Sequence, residues 1–349
     1  MYDIDDLQRG AKEILDRATF DYFVGGAGDE ITIAENTAAW SSIHLRPHVL
    51  RDVSEVSTAI SLLGTNLETP VLIPPLGYMQ LAHDRGEVAM AEGAAGAGAL
   101  MCVSTMATIS MEKVAGASAA PKWFQIYVHT DRDLTRHLVE RARDAGYEAL
   151  VFTVDLPVLP IRKRDVANDF DLPPGMELAN LGVGPRGGSG SALEAYADDS
   201  LDPALTPKDI GWLHGISGLP VVVKGVLRGD DAELAVGAGA AGVIVSNHGG
   251  RQLDTVVPTA LALPEVVAAV GERVPVLVDG GIRNGTDIVK ALAMGAAAVL
   301  VGRPLLWALA VEGPAGVTGL LRQLRDDLAM SMALSGAATI GELDSDLIA

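Results

Sequence analysis

Cysteine is nearly absent from this chain: Cys102 stands alone among 349 residues. That excludes an internal disulfide and a thiolate metal cluster, and it suits a reducing compartment. Positive charge is also scarce. Lys plus Arg is 26 against 45 for Asp plus Glu, a formal net charge of −19, which argues against nucleic acid or an anionic membrane surface as the main partner. The apolar runs are short and broken by Gly, Pro or charge, so none is expected to span a bilayer. The opening residues Met1-Tyr2-Asp3-Ile4-Asp5-Asp6 are acidic where a signal peptide would be basic. The expectation is a soluble, cytoplasmic protein without membrane partner or bound metal.

What the chain does have is core material and turns. With 49% hydrophobic residues and 39 glycines it can bury a large core and make many tight turns, and its length fits a single α/β barrel domain over 1–349. From residue 70 one pattern recurs: an apolar run, a polar or Gly-rich turn, then an amphipathic helical stretch. The runs are Val71–Leu76, Ala99–Val103, Trp123–Tyr127, Ala149–Asp155, Pro220–Lys224, Gly242–Ser246, Val274–Asp279 and Ala297–Gly302. Eight apolar strands alternating with helices predict a (β/α)8 TIM barrel over 70–349. Residues 1–69 read as a helical lead-in. Leu7, Ala11, Ile14, Leu15, Ala18 and Tyr22 predict one helix over 5–23, stopped by Gly25-Gly26-Ala27-Gly28. A Gly- and Asp-rich stretch at about 177–207, after the fourth strand, reads as a long mobile loop.

Barrel chemistry collects at the C-terminal ends of the strands. Those ends carry Gly77, Ser104, Gln125 and Tyr127, Thr153 and Asp155, Lys224, Ser246 and His248, Asp279, and Gly302 with Arg303. The densest signal is Ser246-Asn247-His248-Gly249-Gly250-Arg251-Gln252-Leu253-Asp254. His248 can accept a proton at neutral pH, and Arg251 can grip a carboxylate with two parallel hydrogen bonds. A base beside a carboxylate clamp points to a small acid that loses a proton next to its carboxylate. Asp279-Gly280-Gly281-Ile282-Arg283 and Gly302-Arg303 follow the last two strands, where barrels commonly bind phosphate on backbone N–H groups and arginine forks. Lys224 has two readings: a salt bridge to a neighbouring carboxylate, or a charge that stabilises a ring during its reduction.

Taken together, the His-Gly-Gly-Arg signature, Lys224-Gly225, Asp279-Gly280-Gly281 and Gly302-Arg303-Pro304 resemble the FMN-dependent 2-hydroxy acid oxidase and dehydrogenase family. The resemblance runs from about Asp5 to about Leu347. It implies FMN as cofactor, a 2-hydroxy acid as substrate, oxygen or another electron acceptor, and a homotetramer or larger assembly. Position by position it implies His248 as the base, Asp155 as its support, and Tyr22 and Arg251 as carboxylate ligands. Tyr127 would hold the substrate hydroxyl, and Arg162 would be a second arginine over the site. For FMN it implies Leu76, Gly77, Ser104, Gln125, Thr153 and Lys224 around the ring, and Ser246 beside it. Asp279, Gly281, Arg283, Gly302 and Arg303 would hold the ribityl chain and phosphate.

Some positions depart from the family pattern. Gly77 stands where glycolate and lactate oxidases carry alanine, which bears on flavin packing and on the reaction with oxygen. Met106 stands where glycolate oxidase has tryptophan, which leaves different room and points to a substrate larger than glycolate. Tyr78 sits near the same mouth. Leu156 to Ile161 lacks the usual Gly-Arg before Arg162. The resulting expectation is oxidation of a lactate-, mandelate- or glycolate-like (S)-2-hydroxy acid to the 2-oxo acid. Oxidative decarboxylation, or the same redox core acting on a modified peptide or amine, are the alternatives.

Overall fold

The structure is a computed structural model that describes residues 2–182, 184 and 200–349. The part of the 177–207 loop at 183 and 185–199 lies outside the described residues. The lead-in contains helices Ile4–Ile14, Arg17–Val24 and Ile31–Ser42. The single helix expected over 5–23 is therefore two. Leu15 is extended, and the Asp16 carboxylate accepts the Thr19 N–H, so a new N-cap starts a second helix at an angle the 3.6-residue pattern does not record.

A small antiparallel hairpin follows, β1 (Ile60–Leu62) and β2 (Thr65–Leu67). Eight parallel strands then form the barrel: β3 (Val71–Leu72), β4 (Met101–Val103), β5 (Lys122–Ile126), β6 (Leu150–Thr153), β7 (Val221–Val226), β8 (Gly242–Val245), β9 (Val276–Val278) and β10 (Ala298–Leu300). They pair in the order β3-β10-β9-β8-β7-β6-β5-β4, and a parallel bridge between Ile73 and Met101 closes the ring. Each strand lies within or overlaps its expected run. The first is the shortest because Pro74 and Pro75 have no N–H to give a ladder.

Period-two alternation sorts the side chains. Leu150 and Phe152 of β6 face outward into the helical layer, while Ala149 and Val151 face into the barrel. Leu72, Cys102, Trp123, Val151, Val222, Ile244, Leu277 and Leu300 fill the barrel interior, and Leu62 and Leu67 of the hairpin join that cluster. Two residues further along the same inward face come Ser104, Gln125, Thr153, Lys224, Ser246 and Asp279. The strands thus carry an apolar plug below and a polar layer above it.

The helix Arg303–Ser335 is longer and more apolar than the short runs in the sequence suggest. By length and composition it is apolar enough to cross a membrane. Its location explains the composition instead. It packs on the helices Ile4–Ile14, Gly86–Gly96 and Gly285–Ala293, with 61% of its most apolar window buried, and it is kinked where Gly313 adopts φ 60°, ψ −145° before Pro314.

Candidate active site

His248 follows the end of β8 and takes a left-handed backbone, φ 57°, with Gly249 and Gly250 left-handed after it. Such a turn is strained for a residue with a Cβ and persists where its surroundings hold it. Here the His248 N–H donates to Ser246 Oγ at 3.0 Å, and its Nδ1 lies 3.0 and 3.2 Å from the two Asp155 oxygens. Asp155 accepts only as a carboxylate, so Nδ1 carries the proton and Nε2 is left with a lone pair. Burial pushes His248 below its ordinary value; Asp155 opposes this, but Lys224 and Arg162 reinforce it. The imidazole is therefore neutral. Burial resists ionisation of Asp155, yet His248 and Lys224 hold it below the usual carboxylate range.

Behind the imidazole runs a polar chain. Lys224 Nζ donates to Ser246 Oγ at 2.8 Å, and Ser246 Oγ donates to Asp279 Oδ2 at 2.9 Å. Lys224 and Asp279 also form a buried ion pair at 3.4 Å. Burial alone would discharge Lys224, but Asp279 and Asp155 outweigh it and raise its pKa. The salt-bridge reading of Lys224 is realised, and the side chain also lines the pocket, where the other reading would place it.

One pocket brings together nearly every residue singled out from sequence. Its lining includes Tyr22, Gly77, Met106, Tyr127, Arg162, His248 and Arg251. Leu76, Ser104, Gln125, Lys224, Asp279, Gly281, Arg283, Gly302 and Arg303 line it as well. Thr153, Asp155 and Ser246 stand just behind the lining, at the polar strand ends. Arg251 Nη1 donates to the carbonyls of Tyr22 and Gly25 at 2.6 and 2.8 Å, and its guanidinium lies 4.7 Å from the Tyr22 ring centroid. Arg162 Nε reaches the Arg251 carbonyl at 3.3 Å. Burial, then the charge of Arg251, pushes Arg162 down to about 10. Arg303 donates to the carbonyls of Phe23, Gly249 and Gly25, and burial beside Arg251 and Arg283 lowers it to about 9.

Among the described residues, none of Arg162, Arg251, Arg283 and Arg303 forms an ion pair with a carboxylate. Carboxylates such as Asp287 and Glu30 lie near enough to oppose the lowering of Arg283 and Arg303, but none makes direct contact, so four guanidiniums facing one pocket call for anions. Three buried polar atoms among the described residues also lack a hydrogen-bond partner: Gln125 Nε2, Thr153 Oγ1 and Asp279 Oδ1. All three lie in the polar layer at the barrel mouth, so the missing partners belong to one polar guest. Gly280 and Gly281 adopt φ 94° and 83°, and a Cβ on Gly281 would strike the Asn36 carbonyl at 2.3 Å. A planar polar ring with an anionic tail, such as FMN, fits this donor set.

Sequence reasoning missed several residues that hold the site. Asn36 and Asn247 exchange amide hydrogen bonds at 2.9 and 2.8 Å, tying the lead-in helix Ile31–Ser42 to the signature turn. The Asp254 carboxylate accepts N–H groups of Asp29 and Thr32 at the start of that helix. Its burial is outweighed by these bonds, which lower it to about 2. Leu201, past the undescribed stretch, reaches the pocket because Val128 and Thr130 pair with Ser200 and Asp202. Phe170 stacks on Tyr22. Such partners are far apart in sequence and carry no local signal; only the Asp at the end of the signature hints at one of them.

Comparison with known proteins agrees with this geometry. Residues 11–349 match the family model described as FMN-dependent dehydrogenase. The chain is 51% identical over 347 residues to an L-lactate oxidase of Nostoc sp., covering 97% of this chain and 95% of that one. It is 44% identical to a glycolate oxidase of Spinacia oleracea, covering 99% and 95%. A solved mandelate oxidase with (S)-4-hydroxymandelic acid superposes with a TM-score of 0.95 at 40% identity, covering 99% of this chain and 98% of that one.

Proposed function

The chain belongs to the FMN-dependent dehydrogenase family, and from that membership we propose that it oxidises an (S)-2-hydroxy acid to the 2-oxo acid. It is an oxidoreductase with FMN as cofactor. Bound FMN supplies the two-electron acceptor for the hydride equivalent. Leu76, Gly77, Ser104, Gln125, Thr153, Lys224 and Ser246 would hold its ring region; Asp279, Gly281, Arg283, Gly302 and Arg303 would hold the ribityl chain and phosphate.

Arg251 and Tyr22 bind the substrate carboxylate, and Arg162 is the second arginine over the site. Tyr127, whose phenol burial keeps protonated, donates to the substrate hydroxyl. His248 takes the proton on Nε2 while Asp155 holds Nδ1–H and stabilises the imidazolium that forms. The observation that carries this reading is a neutral imidazole, backed by a carboxylate, in the same pocket as two carboxylate-seeking arginines. Met106, Leu156, Leu159 and Leu201 add apolar lining, which supports an acid with an apolar side chain larger than that of glycolate.

The test is an anaerobic titration of the yellow protein with glycolate, L-lactate and (S)-mandelate, followed by air. Bleaching strongest with lactate or mandelate is expected, and recovery of colour in air reads oxygen as acceptor. Gly77 bears on that last step. Yellow protein that stays oxidised with all three acids removes the free 2-hydroxy acid as substrate. For the assembly we propose a homotetramer or larger. Val49, Leu50, Met330 and Leu334 are exposed apolar residues of the kind a second subunit covers, and a solution mass measurement decides it.

A further inference from the structure

The carboxylate clamp has a brace outside the catalytic groups. The segment after β6 carries Arg162 and then a short helix, Lys163–Ala167. Arg164 grips both Glu30 oxygens at 2.6 and 2.8 Å and reaches Asp21 Oδ1 at 3.0 Å. Asn168 donates to the other Asp21 oxygen at 2.9 Å. Asp169 then turns through a left-handed φ of 47°, an uncommon conformation for a residue with a Cβ. The turn delivers Phe170 flat onto Tyr22, with ring centroids 4.4 Å apart and planes 5° apart. The Tyr22 ring, so held, is the one beside which the Arg251 guanidinium lies. Phe170 is buried and is not among the residues that line the pocket, so its route to the clamp runs through Tyr22.

We propose that Phe170 is a positioning residue: docked on Tyr22, it fixes the Tyr22–Arg251 pair, so the carboxylate clamp is complete only while residues 161–170 are clasped to the lead-in. The inference rests on the 2-hydroxy acid reading above. A tyrosine ring that could turn would carry the cation lying against it out of register, and a bidentate carboxylate contact tolerates little misalignment. The consequence is selective. Ligands that use the clamp lose affinity, whereas neutral ligands of the same shape do not.

The test titrates the FMN-loaded protein, in its oxidised form, with the 2-oxo acid product of the best substrate and with the matching neutral amide. Flavin absorbance reads binding without turnover. Phe170→Leu keeps an apolar side chain but removes the stack. It is expected to weaken the carboxylate ligand about three- to tenfold, the range of one aromatic pair, with the amide changed less than about twofold and flavin content unchanged. Phe170→Tyr should restore wild-type binding. Arg164→Gln releases the clasp from the exposed side and leaves the core intact, so it decides if Phe170→Leu does not fold; the same carboxylate-selective loss is expected, smaller in size. Equal loss for acid and amide, or unchanged acid binding in the variants, overturns the proposal. If wild-type flavin is reduced by a 2-hydroxy acid and the variants behave as wild type, only this inference fails. If no 2-hydroxy acid reduces the wild type, the underlying reading fails with it.

Discussion

The lower and upper layers of the barrel interior use the same strands, the same inward face and positions only two residues apart, yet they differ in every physical respect. Below, Cys102, Trp123, Val151, Val222, Ile244 and Leu277 form a buried apolar cluster. Above, Ser104, Gln125, Thr153, Lys224, Ser246 and Asp279 form a polar layer in which three atoms lack partners. The lower layer is complete without a ligand. The upper layer is not: its unmet hydrogen bonds, beside pocket guanidiniums that have no carboxylate in direct contact, are the signature of a cofactor and an anionic substrate. Stability and chemistry are thereby separated along each strand, so the upper layer can be demanding without the barrel failing.

The comparison breaks most sharply at His248. His248→Asn tolerates the left-handed backbone but removes the base, so bound FMN should be retained while reduction by substrate falls by roughly 10²–10⁴-fold; stopped-flow absorbance measures it. The same experiment in wild type carries a pH dependence. Because burial lowers the imidazole pKa below its ordinary 6.5, kcat/KM should hold at neutral pH and fall only in more acid solution, as the base is protonated. A break above 6.5 contradicts the burial argument.

Trp123→Ala strikes the lower layer instead. Removing this side chain, 1% exposed, should cost about 3–5 kcal/mol of stability, read by denaturant unfolding, while the surviving folded protein reduces its flavin at the wild-type rate. A large rate loss there would mean the layers are not separable. Lys224→Met leaves Asp279 buried without its cation, which should cost about 3 kcal/mol and, unlike Trp123→Ala, weaken FMN retention as well. Comparing the two variants by thermal shift and flavin content sharpens the boundary between layers.

The smallest effect is expected at Asp254, outside both layers. Its folded pKa, about 2, lies below the ordinary 3.8. Stability from this group is therefore fully present above about 4 and lost as pH falls through about 2. Melting curves of wild type and Asp254→Ala should differ at pH 5 and converge near pH 2. Curves that stay parallel throughout remove the carboxylate as cap of the helix Ile31–Ser42.

Much of this was legible in residue order. Strand cores such as Val221–Lys224 announce themselves because a buried parallel strand is apolar on both faces, and the polar residue that ends each run falls at the barrel mouth. His248, Arg251, Lys224 and the Gly280-Gly281 turn were readable for the same reason: their chemistry is unusual beside a buried strand. The break at Leu15-Asp16 was not readable, because apolar spacing on either side of it stays close to helical. The depth of the helix Arg303–Ser335 was also hidden, since a run interrupted by Gly313-Pro314 looks short until its two parts pack on the same neighbours.

By itself, then, the sequence determined the barrel, the polar strand ends, the residue types of the base and clamp, and the family. Those features are encoded within a few residues of one another by period and composition. Only the tertiary structure decided which ring nitrogen of His248 faces Asp155, that Asn36 pairs with Asn247, and that Phe170 stacks on Tyr22 while Arg164 ties its segment to the lead-in. It also decided which buried polar atoms remain without partners. Each of these joins groups from separate strands, loops or lead-in helices, and closure of the chain into a ring is the physical event that brings them within hydrogen-bonding distance.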